Sequence, residues 1–304
     1  MKIASIYNTC GINQDRTDWY SYCLESIFNQ SIITDVIVSS CLNKYECIET
    51  LKSRFGNLLK IVYFPDKLIV NITFNKTCQL IKKENYDGYL FVDSGVHFID
   101  KNSIEEMTYR LDKYSMITVQ TDNDTGFETI GLMQNSPVPQ IVDNDFVFPI
   151  GKACNLHCQI FSKDILNKFG RIIPDVFAAF CTESTFPFLN ASVGKEWVII
   201  KDHMVLHNKS VDGPSSSQPH FSPTHKNPWN NLLYGRDALE FINDKDAYKA
   251  GLGYEECANI MNHNTNVYDG NFVEDPNNLA YYVSKYFFSN NKELDYDSIN
   301  YQIF

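Results

Sequence analysis

The chain of 304 residues is long enough for one large domain or two small ones. Its 44% hydrophobic and 14% aromatic content supplies a packed core, and charged residues make up 21%, so we exclude general disorder. Lys and Arg number 26 against 37 Asp and Glu, a net charge of −11, which opposes binding to a nucleic-acid backbone or an anionic bilayer. We therefore do not expect nucleic acid as a partner.

No stretch of the sequence approaches the roughly 18 apolar residues of a transmembrane segment. The first apolar run is cut by Asn8 and Thr9, too early for a signal peptide. The nine cysteines form no CxxC pair, and an odd number leaves one unpaired in any complete disulfide scheme. We expect a cytoplasmic protein with reduced thiols.

The first hundred residues alternate between strand and helix patterns. An apolar run at 2–7 predicts a strand, and apolar residues at helical spacing from Tyr20 to Phe28 predict a helix after it. Strands that alternate with helices imply a mostly parallel sheet with helices on both faces. The further elements predicted here are strands at 35–39, 58–64 and 89–92, a helix at 46–55 and a helical stripe from Phe74 to Ile81.

The rest of the chain has fewer periodic signals. Ser103 and Glu106 are spaced as a capping box, and Ser162 is placed to cap a helix that ends at Gly170. Segments 134–155 and 211–230 are predicted to be long loops, the first of them over a site. Strands are predicted at 114–119, 129–133 and 156–161, a main domain at 1–230, and a helical C-terminal extension packed on it at 231–304.

Ligands of open parallel sheets bind beyond the carboxyl ends of the strands. This rule points to residues 7–9, residues 39–41 and Asp93. Asp93 follows a run of four apolar residues, and Ser94 and Gly95 after it allow close backbone approach. From position alone, Asp93 as a site acid and Asp93 as the cap of a turn are about equally supported.

At these residues the chain resembles the GT-A glycosyltransferases, especially the inverting family 2 type, over roughly residues 2–210. The segment Tyr20-Ser-Tyr-Cys-Leu-Glu-Ser-Ile-Phe-Asn-Gln30 is similar to the family's YLxxCLESILNQ helix, and Phe74-Asn75-Lys76 resembles its ARN motif. The strand that ends at Asp93 resembles the one that carries the family's DxD motif, with Gly95 where the second acid is usual. The resemblance implies a GT-A α/β fold, a nucleotide-sugar donor and a divalent ion, Mn²⁺ or Mg²⁺.

The second half carries two more parts of the resemblance. Glu183 precedes Gly194 by 11 residues, where the family keeps its acceptor-side acid, so the resemblance implies Glu183 as the general base. Val205-Leu-His207-Asn-Lys-Ser210 resembles VxHxxS, whose His completes the metal site. His203 lies about 13 Å from His207 along an extended strand and is not expected to share the ion. Glu183 as an ordinary solvated residue is the alternative.

The resemblance also implies a reaction. Glu183 removes the proton of an acceptor hydroxyl as it attacks the anomeric carbon in one inverting step, and Asp93 and His207 hold the ion that neutralises the departing diphosphate. The acceptor is a glycan or another hydroxyl compound, and the enzyme a hexosyl- or pentosyltransferase. The nucleotide-sugar-binding residues implied are Tyr7, Asn8, Thr9, Ser39, Ser40, Asn75, Asp93 and Ser94.

Two other functions stay open, and a third lacks its motif. Gly95, and the absence of an acid at Ser39 and Ser40, also fit a non-catalytic GT-A-like protein that binds a nucleotide sugar or a glycan. A glycosyltransferase acting on modified DNA would keep the chemistry, but the acidic balance argues against it. The third is a nucleotidyltransferase, a class with a loop similar to GGxGxRL after its first strand. Residues 8–13 contain no such Gly-rich loop.

Two weaker clusters contain metal-ligand residue types. Cys154, His157 and Cys158 could bind zinc, but no second pair is spaced to complete a tetrahedral site, so buried thiols are the simpler interpretation. His97 lies four residues after Asp93 and could replace the missing second acid, although a His at a strand edge is more often a simple hydrogen-bonding residue.

Overall fold

The computed structural model describes residues 1–10, 17–41, 45–65, 70–121, 140–148, 157–173, 186–207 and 296–304. These residues form a sheet of eleven strands with helices on both faces. The strands are β1 (Ile3–Cys10), β2 (Asp35–Cys41), β3 (Leu59–Phe64), β4 (Gly88–Asp93), β5 (Val96–Phe98), β6 (Met116–Thr121), β7 (Gln140–Val142), β8 (Asp145–Phe148), β9 (Cys158–Ser162), β10 (Trp197–His207) and β11 (Gln302–Ile303). The α-helices are α1 (Thr17–Phe28), α2 (Tyr45–Phe55), α3 (Val70–Ile81), α4 (Ser103–Tyr109), α5 (Lys163–Phe169) and α6 (Phe186–Val193).

The N-terminal half has the predicted alternating order of strands and helices. Its four long strands lie side by side as β3-β2-β1-β4, and every neighbouring pair among them is parallel. Their apolar side chains alternate between two core clusters, one on each face of the sheet, as the two-residue period of a strand requires. The carboxyl ends of these strands therefore meet at one edge.

The C-terminal half is mixed, which corrects the expectation of a mostly parallel sheet. Strand β9 lies antiparallel between β4 and β6, and β10 runs parallel to β6 but antiparallel to β5 and β8. Among the described residues, the parallel sheet is confined to the first four strands and the β6 and β10 pair. A short apolar strand has the same sequence pattern in either direction, so the pattern did not reveal this reversal.

Two local predictions were wrong. The segment predicted as a loop at 134–155 contains the hairpin of β7 and β8, whose turn residues Asp143 and Asn144 both have positive φ. That backbone suits a two-residue hairpin turn, for which Asp and Asn are favoured. Helix α4 begins after Asn102, so Ser103 is not its N-cap; the Ser103 hydroxyl donates to the carbonyl of Asp100 instead.

Helix α5 has both of the predicted ends. The Ser162 hydroxyl accepts a hydrogen bond of 3.2 Å from the amide of Asp164, and Gly170 follows the helix with a φ of 72°. Left-handed backbone of this kind costs glycine no steric strain. These caps fix where β9 gives way to α5, next to the segment 171–173 that contacts α3.

The described C-terminal residues return to the sheet. Residues 296–298 form one short 3₁₀ turn, and β11 pairs antiparallel with β3, so that β11 is the edge strand on this side of the sheet. The predicted strand at 129–133, the boundary at 230 and the helices expected after it lie outside the described residues. None of the helices in the described ranges is both long and apolar enough to span a membrane.

Candidate functional site

Three chain segments meet at the edge where the parallel strands end. Strand β4 ends at Asp93, and β10 ends at His207. Because β9 is antiparallel to both β4 and β6, while β10 is parallel to β6, β10 runs in the same direction as β4. The same reversal places the start of β9, preceded by His157, at this edge. The amide of Asp93 donates to the carbonyl of His157 over 2.9 Å, which joins the two segments.

The β4–β5 turn explains how Asp93 reaches His207. After Ser94 and Gly95 the chain returns as β5, which pairs with the end of β10 so that Val96 lies opposite His207. Strand β10 has a register shift between Ile200 and Met204, and such irregularities bend a strand. Asp93 and His207 are thus brought into contact although two strands, β9 and β6, separate β4 from β10 in the sheet order.

Asp93, His157 and His207 form a compact group of metal-ligand side chains. One ligand atom from each residue can be chosen so that all three lie within 4.8 Å of one another. Nε2 of His207 lies 3.2 Å from Oδ2 of Asp93, and Nδ1 of His157 lies 4.0 Å from the same oxygen. The two imidazole rings have centroids 3.7 Å apart. Two imidazole nitrogens and one carboxylate oxygen are suitable ligands for a divalent ion such as Mn²⁺ or Zn²⁺.

The surroundings keep Asp93 ionised. Burial would raise the pKa of Asp93, but the hydrogen bond and charge of His207, the charge of His157 and the amide of Ser94 together hold that pKa below its ordinary value. The Ser94 amide donates to Oδ1 of Asp93 over 2.6 Å, whereas Oδ2 faces the two imidazoles. The carboxylate therefore has one oxygen fixed by its own turn and the other directed at the ligand group.

Two aromatic residues hold the turn that follows Asp93. The carbonyl of Ser94 accepts hydrogen bonds from the Tyr7 hydroxyl at 2.7 Å and from Nε1 of Trp19 at 3.1 Å. The Tyr7 side chain is fully buried, and burial is the main reason that the pKa of its hydroxyl is raised. Tyr7, predicted as a nucleotide contact, thus contacts the site through the backbone of Ser94.

The other predicted residues of β1 and β2 lie on alternating faces of the sheet. Asn8 pairs with Asp93 across β1 and β4, and Thr9 pairs with Ser40 across β1 and β2. The buried amide of Asn8 donates to the carbonyls of Ile6 and Val92, and its Oδ1 has no hydrogen-bond partner in the described part of the chain. The Ser39 hydroxyl faces α3, where it accepts a hydrogen bond of 3.2 Å from Thr77.

Asn75 joins three parts of the fold. Its Oδ1 accepts from the amides of Ile172 and Ile173 at 2.9 and 3.1 Å. Its Nδ2 donates to the carbonyl of Ile173 at 2.5 Å and to the Tyr296 hydroxyl at 3.1 Å. Asn75 is completely buried, so its described contacts are structural ones within the protein.

The remaining candidates are placed as follows. His97 stacks on Tyr22, with ring centroids 3.9 Å apart and planes within 3°, and is not part of the Asp93 group. Cys158 is a buried free thiol, as expected for that residue, and burial raises its pKa. Glu183 and Cys154 lie outside the described residues.

The sequence placed Asp93 and His207 together but did not place His157 with them. His157 was considered only together with its neighbouring cysteines, as part of a separate zinc cluster. The signal that points to it is its position directly before β9, but this becomes informative only when the antiparallel direction of β9 is known. Site residues at the amino end of an antiparallel strand are invisible to a rule that considers carboxyl ends alone.

The chain is similar to known proteins in structure but not detectably in sequence. No protein-family model and no curated protein sequence matches the chain. Residues 1–349 of S. aureus TarS match 96% of this chain and 89% of that one, with 13% identity and a TM-score of 0.51. A longer TarS structure matches 97% of this chain with the same identity and TM-score, and this chain covers 55% of it, about half its length.

Two further solved structures are similar. The mannosyltransferase PcManGT from Pyrobaculum calidifontis, in complex with GDP-Man and Mn²⁺, matches 94% of this chain and 84% of its own, with 12% identity and a TM-score of 0.51. GalNAc-T7 with UDP, GalNAc and Mn²⁺ matches 86% of this chain and 54% of its own, with 10% identity and a TM-score of 0.50. The protein is therefore structurally similar to GT-A glycosyltransferases over nearly its whole length, at low sequence identity.

Proposed function

We propose that this protein transfers a sugar from a nucleotide-sugar donor to an acceptor hydroxyl, with a divalent ion held by Asp93 and His207. The observation that supports this most directly is the meeting of the Asp93 carboxylate and the His207 imidazole, 3.2 Å apart, at the carboxyl edge of the parallel strands. The likeness to a mannosyltransferase solved with GDP-Man and Mn²⁺ supports the same donor class and ion. The acceptor that we propose is a glycan hydroxyl.

The described residues would position the donor diphosphate. A divalent ion bound at this group supplies positive charge against the departing nucleoside diphosphate. Asp93 contributes Oδ2, because its Oδ1 already accepts the Ser94 amide. His207 is 3% exposed, and the pairing of β10 with β5 holds its backbone. Its ring would therefore lose little further freedom when it binds the metal ion.

The ends of β1 and β2 would bind the nucleoside. Asn8 is adjacent to Asp93 across the β1 and β4 pair, and its Oδ1 is a buried acceptor without a described partner. A hydroxyl or N–H of the nucleoside could donate to this oxygen, since a buried polar atom left without a hydrogen bond is costly. Thr9, Ser39 and Ser40 stay proposed as neighbours of the same ligand, whereas Tyr7 and Asn75 support it indirectly.

Glu183 is our proposed general base. In one displacement, the acceptor oxygen forms a bond to the anomeric carbon, the bond from that carbon to the diphosphate oxygen breaks, and the hydroxyl proton passes to the Glu183 carboxylate. Such a reaction inverts the anomeric configuration. Removal of a positioned base costs roughly 100-fold to 10,000-fold in rate.

The test is turnover of nucleotide sugars by the intact protein with Mn²⁺. UDP-, GDP- and dTDP-sugars are offered with and without glycan acceptors, nucleoside diphosphate release is measured by chromatography, and the product anomer is assigned by NMR. We expect release from one donor class, with Glu183→Gln inactive but still able to bind donor. The exposed Glu49→Gln is the matched control and should behave as the unmodified protein.

Three outcomes would contradict parts of this proposal. Near-normal turnover by Glu183→Gln would exclude Glu183 as the base, and a product that retains the anomeric configuration would exclude one-step inversion. Donor binding without any release in all mixtures would favour the non-catalytic alternative, for which the absence of an acid at Gly95 is the specific observation.

A further inference from the structure

The Asp93 group differs in its chemistry from a pair of acids spaced as DxD. The third position of that motif is Gly95, which has no side chain to offer. His157, the residue directly before β9, joins Asp93 and His207, so the group presents two imidazole rings and one carboxylate. No described acid other than Asp93 belongs to this group.

His157 is held where a third ligand would have to be. Its carbonyl accepts the amide of Asp93 at 2.9 Å, which ties its backbone to the end of β4. Its ring lies against the His207 ring with centroids 3.7 Å apart, and its Nδ1 is 4.0 Å from Oδ2 of Asp93. The side chain is 27% exposed, so it combines a fixed backbone with access to a ligand from the edge of the sheet.

We propose that His157 is the third protein ligand of the divalent ion, in place of the acid absent at Gly95, and that the site consequently selects Mn²⁺, Co²⁺ or Zn²⁺ over Mg²⁺. This inference rests on the proposed metal site of the transferase. Imidazole nitrogen is a favourable ligand for Zn²⁺ and other transition metals, whereas Mg²⁺ requires oxygen ligands and loses its water reluctantly. Two imidazole ligands therefore favour Mn²⁺, Co²⁺ or Zn²⁺ and disfavour Mg²⁺.

The exchange of an acid for an imidazole also changes the charge of the site. With one carboxylate and two neutral imidazoles, a bound divalent ion keeps one net positive charge, whereas a second carboxylate would cancel it. The site would therefore attract a diphosphate more strongly than one with two acids. The absence of an acid at Gly95 would therefore change which metal the site prefers, without abolishing metal binding.

The experiment measures metal binding directly and needs no turnover. Mn²⁺ and Mg²⁺ affinities of the full chain are measured by calorimetry with a nucleoside diphosphate present, and Co²⁺ binding is followed by its visible absorption. The variants are His157→Ala, His157→Gln as a second variant in case the first does not fold, and His157→Ala combined with Gly95→Asp. His203→Ala is the matched control, because His203 is on the same strand as His207 but contacts Ser103 at 3.2 Å.

We expect the unmodified protein and His203→Ala to bind Mn²⁺ at least tenfold more tightly than Mg²⁺. His157→Ala and His157→Gln should lose at least about 10-fold to 100-fold in Mn²⁺ affinity. Losses of this size are typical when a residue that only hydrogen-bonds to a metal ligand is mutated, so loss of a ligand itself should cost no less. Both variants should also change the Co²⁺ spectrum. Adding Gly95→Asp to His157→Ala should recover binding with a preference shifted toward Mg²⁺.

The failures are distinguishable. If folded His157 variants bind Mn²⁺ as the unmodified protein does while Asp93→Asn does not, His157 is not a ligand, and the proposed transferase site stands. If the unmodified protein binds Mg²⁺ as tightly as Mn²⁺, the selectivity is wrong. If the metal preferences are as expected but no nucleotide sugar is turned over, the proposed function fails and the metal assignment stands.

Discussion

The hydroxyl of Tyr7 donates a hydrogen bond of 2.7 Å to the carbonyl of Ser94, 87 positions further along the chain. This contact connects the buried strand β1 with the turn whose amide holds Asp93. A residue buried in the core thereby restrains the position of Asp93 at the carboxyl edge of the parallel strands. The same carbonyl also accepts from Trp19, so two aromatic side chains restrain one turn.

We predict that Tyr7→Phe and Trp19→Phe weaken both the fold and metal binding. Each removes one donor to the Ser94 carbonyl, and a typical hydrogen bond contributes about 0.5–1.5 kcal/mol to stability. Because the two donors share one acceptor, the double variant should lose more than the sum of the single losses. Urea unfolding and Mn²⁺ calorimetry of the four proteins form the double-mutant cycle. Strictly additive losses would show that the two contacts do not restrain a common turn.

Asn75→Ala should destabilise the protein more than it impairs donor binding. The substitution leaves the buried amides of Ile172 and Ile173 without their side-chain acceptor and the Tyr296 hydroxyl without its donor. Each buried group left unsatisfied costs about 1–3 kcal/mol. The free energy of unfolding is measured by urea titration, and donor affinity is measured at a temperature where the variant is folded. Normal stability with abolished donor binding would instead show that Asn75 contacts the nucleotide sugar directly.

Stability should fall in acid partly because of a cluster around Tyr86. The Tyr86 hydroxyl lies 2.7 Å from Oδ2 of Asp35 and 2.8 Å from Oε2 of Glu84. Burial would raise the pKa of both carboxyls, but the hydrogen bond from Tyr86 and the charges of Lys2 and Lys60 hold each below its ordinary value. Carboxyls whose pKa is lowered by folding stabilise the protein above their unfolded pKa, about 3.9 for Asp and 4.3 for Glu.

This contribution is lost as the pH falls below about 4 and through the folded pKa values, because the unfolded chain takes up protons first. Unfolding free energies measured between pH 7 and pH 3 should decrease in that window, and Tyr86→Phe should show a smaller decrease. Tyr63→Phe is the control, since the Tyr63 hydroxyl has no carboxylate partner among the described residues. Identical pH curves for Tyr86→Phe and the unmodified protein would contradict the assignment.

The described C-terminal strand should protect the edge of the sheet. The amide of Ile61 donates to the carbonyl of Phe304 at 3.2 Å, and the Phe304 ring contacts Tyr45 and Tyr63 with centroid distances of 5.6 and 6.3 Å. Deletion of residues 302–304 exposes β3 as an open edge. We expect hydrogen exchange of the β3 amides to accelerate while β1, inside the sheet, stays protected. Unchanged exchange in β3 would show that this pairing adds no stability.

The sequence was most informative where a local pattern decides the structure. The helical spacing of Tyr20 and Phe28 predicted α1, and the apolar run before Asp93 predicted β4 with its acid at the edge of the sheet. The caps of α5 at Ser162 and Gly170 were also predicted. In each case the evidence lies within a few consecutive residues.

The features that were missed depend on long-range contacts. The inserted strand β9 brings His157 to Asp93, and no local pattern specifies whether a short strand is parallel or antiparallel to its neighbours. The sequence also did not indicate the hydrogen bond from the Tyr7 hydroxyl to the Ser94 carbonyl, 87 positions away, whereas the predicted nucleotide contacts at Asn8 and Thr9 stay predictions. The contacts of Asn75 are also long-range: Ile172 is 97 positions away and Tyr296 is 221 positions away.

The most direct test of the metal-dependent transferase is a crystal structure of the protein with Mn²⁺ and a nucleoside diphosphate, with data collected at the manganese absorption edge. We predict one anomalous peak in bonding distance of Asp93 and His207, with a diphosphate oxygen completing its coordination and the nucleoside next to Asn8. A nucleotide bound elsewhere, or a peak that does not touch Asp93 and His207, would contradict the account.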